Sequence, residues 1–345
     1  MILFPSQESI PPYSLYMDRN DIQFTFGKHV HEYICPAQPS KTDLGNKSVF
    51  VGGGISNCPD WQKQFVKLVD MKISKMSATK DSDCQEFILS MLNPRRLNFP
   101  IGDPSASEFQ IAWEAEYLKQ SKAIFLWFPK DSEGPISLFE TGKWAMSAKP
   151  IFLGIEPGYP RSNELVAQVK SIRPNINIVT TLEEHAANVA KWAMGVGKVD
   201  LPVIIDRVIA RTIYLAGGIA NCSDWQKKMI KLLRETNVNA FNPRDGNYVI
   251  SDAEEYLNRV RYNRAKLDAS EAVLLWFPKE QLTPVALLEL GSVVASSKPV
   301  FIGIDPGYPR QIDVEIQTKL ARPEIDIVYS LEDLAEQVRQ YYAMR

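Results

Sequence analysis

Ser121–Arg161 contains Ser121-Lys-Ala-Ile-Phe-Leu-Trp-Phe-Pro-Lys130, then Pro135-Ile-Ser-Leu-Phe-Glu-Thr-Gly142, then Lys149-Pro-Ile-Phe-Leu-Gly-Ile-Glu-Pro-Gly-Tyr-Pro-Arg161. A shift of 149 residues reproduces it as Ser270–Arg310 with roughly half of the positions unchanged, so a duplicated unit precedes any choice of fold. Ala123–Phe128 and Ala272–Phe277 are continuous apolar runs, as strands buried on both faces of a parallel sheet require. The helix expected to start near Pro135 or Pro284 carries one acid, Glu140 or Glu289, two residues before a glycine. A strand over 150–155, a helix over 163–172, a strand over 176–179 and a helix from Leu182 are expected to follow, and the second copy repeats that order.

Working upstream, Ser48-Val-Phe-Val-Gly-Gly-Gly-Ile-Ser-Asn57 and Thr212-Ile-Tyr-Leu-Ala-Gly-Gly-Ile-Ala-Asn221 each read as a buried strand running into glycines. A helix is expected at Asp60-Trp-Gln62 or Asp224-Trp-Gln226, with Ser223 and Gln226 spaced as a capping box. Strand, glycine turn and helix start together let a ligand's polar or anionic group reach backbone N–H groups, and a tight structural turn is the other reading. Adjacent glycines do not make the G-x-G-x-x-G dinucleotide fingerprint. The second strand ends in Asn93-Pro-Arg-Arg96, matched by Asn242-Pro-Arg-Asp245. Before it the first copy has fifteen extra residues, and this polar surplus around Lys72–Gln85 reads as a surface loop or lid. The copies diverge at the next helix, where Gln110-Ile-Ala-Trp-Glu114 faces Arg259-Val-Arg-Tyr-Asn263. Four-residue spacing puts Gln110 and Glu114 on one helical face.

Strands alternating with helices predict a doubly wound parallel α/β sheet in each copy. The expected organisation is an N-terminal extension over 1–46, a first domain over 47–193, a linker over 194–210 and a second domain over 211–345. Within the extension Ile22, Phe24 and Phe26 alternate as in a short half-buried strand, and Pro36–Pro39 reads as extended chain. Ligands of open parallel sheets bind outside the carboxyl ends of the strands. The glycine turn, the Asn-Pro-Arg turn and the turn before Glu140 all follow strands, so they are expected to meet there. In the first turns of its helix Glu140 gains from the macrodipole as a carboxylate. Such a group can attack an anomeric carbon, and displacement at sugar carbon commonly uses a second acid. Glu140 with Glu114 supplies that pair in the first copy, whereas the second has Glu289 alone. A capping or salt-bridged structural acid is the competing reading of Glu140.

The composition, 45% hydrophobic and 23% charged with a net charge of -2, is that of a globular protein without an electrostatic footprint for a nucleic-acid polymer. A small molecule is the expected partner. No basic-apolar leader opens the chain and no apolar run reaches membrane-spanning length, so a cytoplasmic location without membrane attachment is expected. Four cysteines without Cys-x-x-Cys spacing argue against a disulfide framework or zinc, and none of the three histidines lies in the closely repeated part. Carboxylate chemistry without metal or cofactor is expected. Arg95 and Arg244 either hold a phosphate or pair with a carboxylate, and Trp127 and Trp276 either stack on a base or fill the core. Cys58 and Cys222 are either thiols activated by a helix N-terminus or small buried caps.

Taken in order, Gly-Gly-Ile with Asp-Trp-Gln, Asn-Pro-Arg-Arg, Gln-x-x-Trp-Glu and Trp-Phe-x with Pro-Ile-Ser-Leu-x-Glu-x-Gly resemble the nucleoside 2-deoxyribosyltransferase-like domains. The resemblance spans about residues 47–193 and, more weakly, 211–345. It implies two tandem flavodoxin-like domains and a role in nucleotide salvage: exchange of a 2-deoxyribosyl group between bases through a glutamyl glycosyl-enzyme, with Glu140 attacking C1′. It further implies that Glu114, Gln110 and Asn93 orient the sugar or assist the base, that Gly53 and Gly54 floor the pocket, and that Ser137 and Arg95 contact substrate. Gly217, Gly218, Asn242, Arg244 and Glu289 are the second-copy equivalents. That copy has Asp245, Arg259, Asn263 and Ala286 in place of Arg96, Gln110, Glu114 and Ser137, so it is expected to be degenerate and to complete a pseudo-dimer within the chain, with a homo-oligomer also compatible. Transfer to water by a nucleoside or nucleotide N-glycoside hydrolase, and non-enzymatic binding of a nucleotide-like ligand, are the alternatives.

Overall fold

The computed structural model describes residues 24–78, 88–96, 104–196, 200–203, 208–244 and 253–344. By their contacts the residues form two units. Met1–Gly134, Lys149–Pro160 and Asn177–Asp200 make the first, while Pro135–Ala148, Arg161–Ile176 and Leu201–Arg345 make the second.

The first unit is built on β1 (Phe24–Phe26), β2 (Val30–Ile34), β3 (Ser48–Gly53), β4 (Leu89–Asn93), β5 (Ala123–Phe128), β6 (Ile151–Ile155) and β7 (Ile178–Val179). Their order is β1-β2-β4-β3-β5-β6-β7, with β1 antiparallel to β2 and every other pair parallel. The stretch β4-β3-β5-β6-β7 is a doubly wound 2-1-3-4-5 sheet, and the extension lengthens it by two strands. Ile22 lies outside the described residues. Between the extension and β3 sits the short helix α1 (Lys41–Leu44), capped reciprocally by Ser40 and Asp43.

Side chains of the central strands alternate between the two faces of the sheet, and both faces are covered, so burial along β3, β4 and β5 is nearly continuous. Val49, Val51, Phe125 and Trp127 face α2 (Trp61–Ala78) and α6 (Leu182–Ala193), where Phe65 stacks on Phe125 at 3.8 Å between ring centroids. Phe50 points to the other face and meets Trp113 of α3 (Pro104–Gln120). Lys72–Ala78 continue α2 rather than forming a loop, because Val66, Val69 and Ile73 recur at helical spacing and are buried. The rest of that surplus lies outside the described residues.

The second unit holds β8 (Ile209–Gly217), β9 (Asn239–Phe241), β10 (Ser270–Phe277), β11 (Val300–Ile304) and β12 (Ile327–Val328), all parallel, in the order β12-β11-β10-β8-β9. This is again 2-1-3-4-5. One face packs on α7 (Trp225–Leu232) and α11 (Leu331–Ala343), and the other on α8 (Ala253–Ala269), α9 (Pro284–Val294) and α10 (Gln311–Ala321). The cap of α7 is Asp224, whose side chain accepts from the Lys227 N–H, so the helix is capped one residue after Ser223 by a single side-chain bond and not by the capping box expected there. Two helices of the first repeat, α4 (Pro135–Ala145) and α5 (Ser162–Ile172), also pack within this unit, and Phe139 of α4 joins its core. No helix among the described residues is long and apolar enough to cross a membrane.

The duplication isolates one unfavourable core choice. His185 of α6 is 1% exposed and surrounded by Phe65, Phe125 and Trp127, with Nε2 3.4 Å from the Leu126 carbonyl and Nδ1 without a partner. At the equivalent position the second repeat has Leu334, which is fully buried. Burial pushes the His185 imidazole down to about 3, whereas in the unfolded chain it titrates near 6.5. Between those values the unfolded state takes up a proton that the folded state refuses. Stability is therefore full above about pH 6.5 and falls by roughly 1.4 kcal/mol per unit as pH drops through that window. His185→Leu is expected to stabilise the protein by about 1–2 kcal/mol at neutral pH, with a larger margin at pH 5. Melting temperatures of both proteins at the two pH values test this, and a variant less stable than the parent at pH 5 refutes it.

Candidate functional site

The first unit gathers Gly53, Gly54, Asn93, Arg95, Gln110 and Glu114 around the carboxyl ends of β3 and β4. Gly53 has φ +143, and a Cβ there would lie 2.1 Å from the Trp127 carbonyl oxygen. Only glycine lets β3 end against β5 in this way. The Gly54 carbonyl accepts from Trp61 Nε1 at 2.7 Å and from the Cys58 thiol at 3.1 Å, which fixes the turn into α2. Gly217 and Gly218 repeat the arrangement, with φ +139 at Gly217 and Trp225 Nε1 2.8 Å from the Gly218 carbonyl.

Asn93 is 3% exposed and bonded on both sides of its amide. Its Oδ1 accepts from the Arg95 N–H at 2.9 Å, an Asx turn that Asn242 reproduces with Arg244 at 2.9 Å. Asn93 Nδ2 donates to Glu32 Oε1 at 2.8 Å. Glu32 stands on β2 in the extension and is 4% exposed, so the added strand delivers a buried acid that the repeat itself does not contain. One sequence signal marks it: Glu32 falls in phase with Val30 and Ile34, where an apolar residue is expected.

Arg95 is a brace. Its Nη1 donates to the Pro59 carbonyl at 2.9 Å and to Gln62 Oε1 at 3.2 Å, and its Nη2 donates to the Cys58 carbonyl at 3.0 Å. Arg244 does the same in the second unit, reaching Gln226 Oε1, the Ser223 carbonyl and the Asp224 carboxylate. Both arginines tie the strand turn to the start of the following helix. Trp127 and Trp276 lie in the cores. Burial raises the Cys58 thiol while Arg95 partly opposes it, so this sulfur behaves as a small cap.

Gln110 and Glu114 share a face of α3, as their spacing requires. Gln110 Nε2 donates to Glu114 Oε1 at 2.7 Å and to the Pro94 carbonyl at 2.6 Å, and its Oε1 accepts from the Cys35 thiol at 3.0 Å. Glu114 keeps some accessible surface although protein surrounds its carboxyl. Burial pushes that carboxyl up to about 7, against the lowering effect of the Gln110 hydrogen bond. It is therefore poised to hold or release a proton near neutrality.

Ser137 and Glu140 stand on α4, in the second unit, 5% exposed each. Their helix packs on α9, which carries Glu289, 8% exposed. Burial pushes Glu289 up to about 7, and Arg264 acts in the opposite sense. Arg264 is itself buried: it pairs with Asp268 at 2.8 Å and donates to Ser292 Oγ at 3.1 Å. The first repeat has Ala115 at that position, so this cation is particular to the second. Its signal in the sequence is a further divergence directly after Asn263.

Among the described residues no group of three or more His, Cys, Asp or Glu side chains is placed to hold a metal ion. A family model described as nucleoside 2-deoxyribosyltransferase like matches residues 46–159 and again 210–308. No curated protein matches the chain.

Proposed function

The chain belongs to the nucleoside 2-deoxyribosyltransferase-like family, which ties it to nucleoside processing, and from that premise we propose that its first repeat moves a 2-deoxyribosyl group between nucleobases. The observation that carries the proposal is the Gln110–Glu114 pair, a carboxyl kept near neutral pKa beside the turns that end β3 and β4. Glu140, on the helix that follows β5 in the chain, is the nucleophile. Its carboxylate oxygen bonds to C1′ as the C1′–N bond breaks. The bond electrons go to the base nitrogen, and Glu114 gives that base its proton. An incoming base then attacks C1′, expels Glu140 and returns a proton to Glu114. Two inversions give net retention.

Within this reading Asn93 and Glu32 hold the β4 turn rigid, Gln110 aims Glu114, and Arg95 keeps the glycine turn in register. Precise support of the reacting groups is what such a displacement needs, since small misplacements are costly. No cofactor takes part, and the expected partner is a small nucleoside.

The test is to incubate the protein with a 2′-deoxynucleoside, with and without a second free base. Formation of the new nucleoside is expected, with a rate that falls as pH rises through about 7 and Glu114 loses the proton it must donate. Release of free sugar without exchange would instead identify water as acceptor and a hydrolase. Absence of both products would overturn the catalytic reading.

A further inference from the structure

The extension brings more than two strands to the first unit. Past the end of β2 at Ile34 the chain runs along α3: the Cys35 N–H donates to the Asn93 carbonyl at 2.8 Å, the Cys35 thiol donates to Gln110 Oε1 at 3.0 Å, and Trp113 Nε1 donates to the Ala37 carbonyl at 2.6 Å. Gln110 thus meets three partners. Two are acceptors, the Pro94 carbonyl at 2.6 Å and Glu114 Oε1 at 2.7 Å, and both take its Nε2. The third, the thiol, is a donor and meets its Oε1. Only one of the two orientations of a side-chain amide satisfies all three, because reversing it sets oxygen against oxygen at Pro94 and at Glu114. Cys35 is 1% exposed, and burial together with the Glu114 charge raises its thiol pKa against the opposing Arg96, so the sulfur keeps the proton that this bond needs.

The second repeat supplies the contrast. Among the described residues its sheet ends at β9, where the first continues from β4 into β2. The bond to the proline carbonyl of the strand turn there comes from Arg259, whose Nη2 lies 2.8 Å from the Pro243 oxygen. A guanidinium carries donors only, so it has no acceptor end for a thiol to satisfy. The amide therefore occurs in the repeat that has both a donor on the extension and a carboxyl one turn further along the helix; the other repeat has Asn263 in place of that carboxyl.

We propose that Cys35 is a positioning residue: through Gln110 it holds an amide N–H against the Glu114 carboxyl, which makes the N-terminal extension a working part of the first repeat's site. The relay of hydrogen bonds stands by itself, while its importance for catalysis rests on the reading of Glu114 as the proton donor. The Gln110 bond lowers the Glu114 carboxyl against the effect of burial. Without the thiol proton, Gln110 Oε1 gains by turning toward water, since this side chain is only half-buried, and Nε2 then leaves Glu114. The carboxyl consequently keeps its proton to higher pH. The charged groups on the neighbouring elements are Arg96 after β4 and Glu32 on β2, the latter bonded to Asn93 Nδ2 at 2.8 Å, and both stay in place in every variant below.

Carbon-13 NMR of the glutamate carboxyl groups in the full chain, with Glu114→Gln identifying the resonance, follows this titration whether or not the protein turns over substrate. The pH profile of base exchange is measured beside it. Cys35→Ala is expected to raise the Glu114 midpoint by about one pH unit, the scale of one hydrogen bond to a charged group, and to move the falling limb of exchange upward by the same amount. Cys35→Ser keeps an O–H donor and is expected to stay close to the parent. Added to Gln110→Ala, the Cys35→Ala change is expected to move the midpoint no further, because the thiol acts through the amide. Cys35→Val, which fills the space without a donor, stands in if the alanine variant does not fold, and circular dichroism melts decide that. An unmoved midpoint in the folded donor-free variant, an equal shift in Cys35→Ser, or a further shift in the double variant overturns the inference. A shifted midpoint in a protein whose parent exchanges no bases leaves the relay standing and removes the transferase; exchange with an unmoved midpoint does the reverse.

Discussion

Glu140→Ala is expected to lower base exchange by about 10³-fold or more, whereas Glu289→Ala leaves it within about twofold. The two acids occupy equivalent helices, and both are buried. What differs is the company the repeats provide. The first has Glu114 hydrogen-bonded to Gln110, the group that gives the departing base its proton in the proposed mechanism. The second has Asn263 at that place, which has no proton to give, and the buried Arg264 beside Glu289 where the first has Ala115. Arg264 only partly opposes the burial that pushes the Glu289 carboxyl up to about 7, and without an acid the leaving base must depart as an anion.

Steady-state rates of both variants, with Glu140→Gln as the near-isosteric control, measure the asymmetry. Intact-mass spectrometry after mixing with a deoxynucleoside adds an independent reading: one deoxyribosyl adduct on the parent and on Glu289→Ala, none on Glu140→Ala. Equal losses from the two alanine variants would place chemistry in both repeats or in neither. Thermal unfolding of each protein separates lost chemistry from lost structure, because removing a buried polar group changes stability as well.

Periodicity exposes the alternation of strands and helices because each element carries its own local signal. The apolar run of Ala123–Phe128 needs two covered faces, and the turn residues around Asn93 act within two positions of themselves. Gln110 and Glu114 were legible for the same reason, since four residues make one helical turn. Long-range partnerships leave no such trace. Glu32 reaches Asn93 across 61 positions through an added parallel strand, and only its misplaced phase in β2 hints at burial. Arg95 has the composition of a phosphate ligand, yet its donors are met by carbonyls whose approach depends on the turn into α2. The helical continuation through Lys72–Ala78 is masked by polar residues around Ile73, whose burial becomes plain only when α2 is seen against its sheet. Membership of α4 in the second unit was hidden for a further reason: its closest contacts run through backbone, which side-chain patterning does not record.

That backbone contact sets the other large effect. A Cβ added to Gly142 of α4 would lie 1.9 Å from the Leu288 carbonyl oxygen, and one added to Gly291 of α9 would lie 2.0 Å from the Phe139 carbonyl oxygen. Neither neighbour is the end of a flexible side chain, so relief requires the helices to separate. Gly142→Ala or Gly291→Ala is therefore expected to destabilise the protein by about 3 kcal/mol or more, at or above the upper end of ordinary overpacking. Alanine otherwise favours a helix interior over glycine by about 1 kcal/mol, so the sign itself is diagnostic. Because one separation relieves both clashes, the double variant should cost clearly less than the sum of the singles. Denaturant titrations of the three variants test both statements. A stabilised single variant would mean that α4 and α9 do not meet at their glycines, and additive costs would mean that the two clashes are relieved independently. Each crossing glycine follows its acid by two residues, so parting the helices also moves the segments that hold Glu140 and Glu289. Exchange activity in Gly142→Ala is consequently expected to fall even at temperatures where the variant remains folded, through kcat rather than KM, since in the proposed mechanism the carboxylate carried by this helix is the nucleophile.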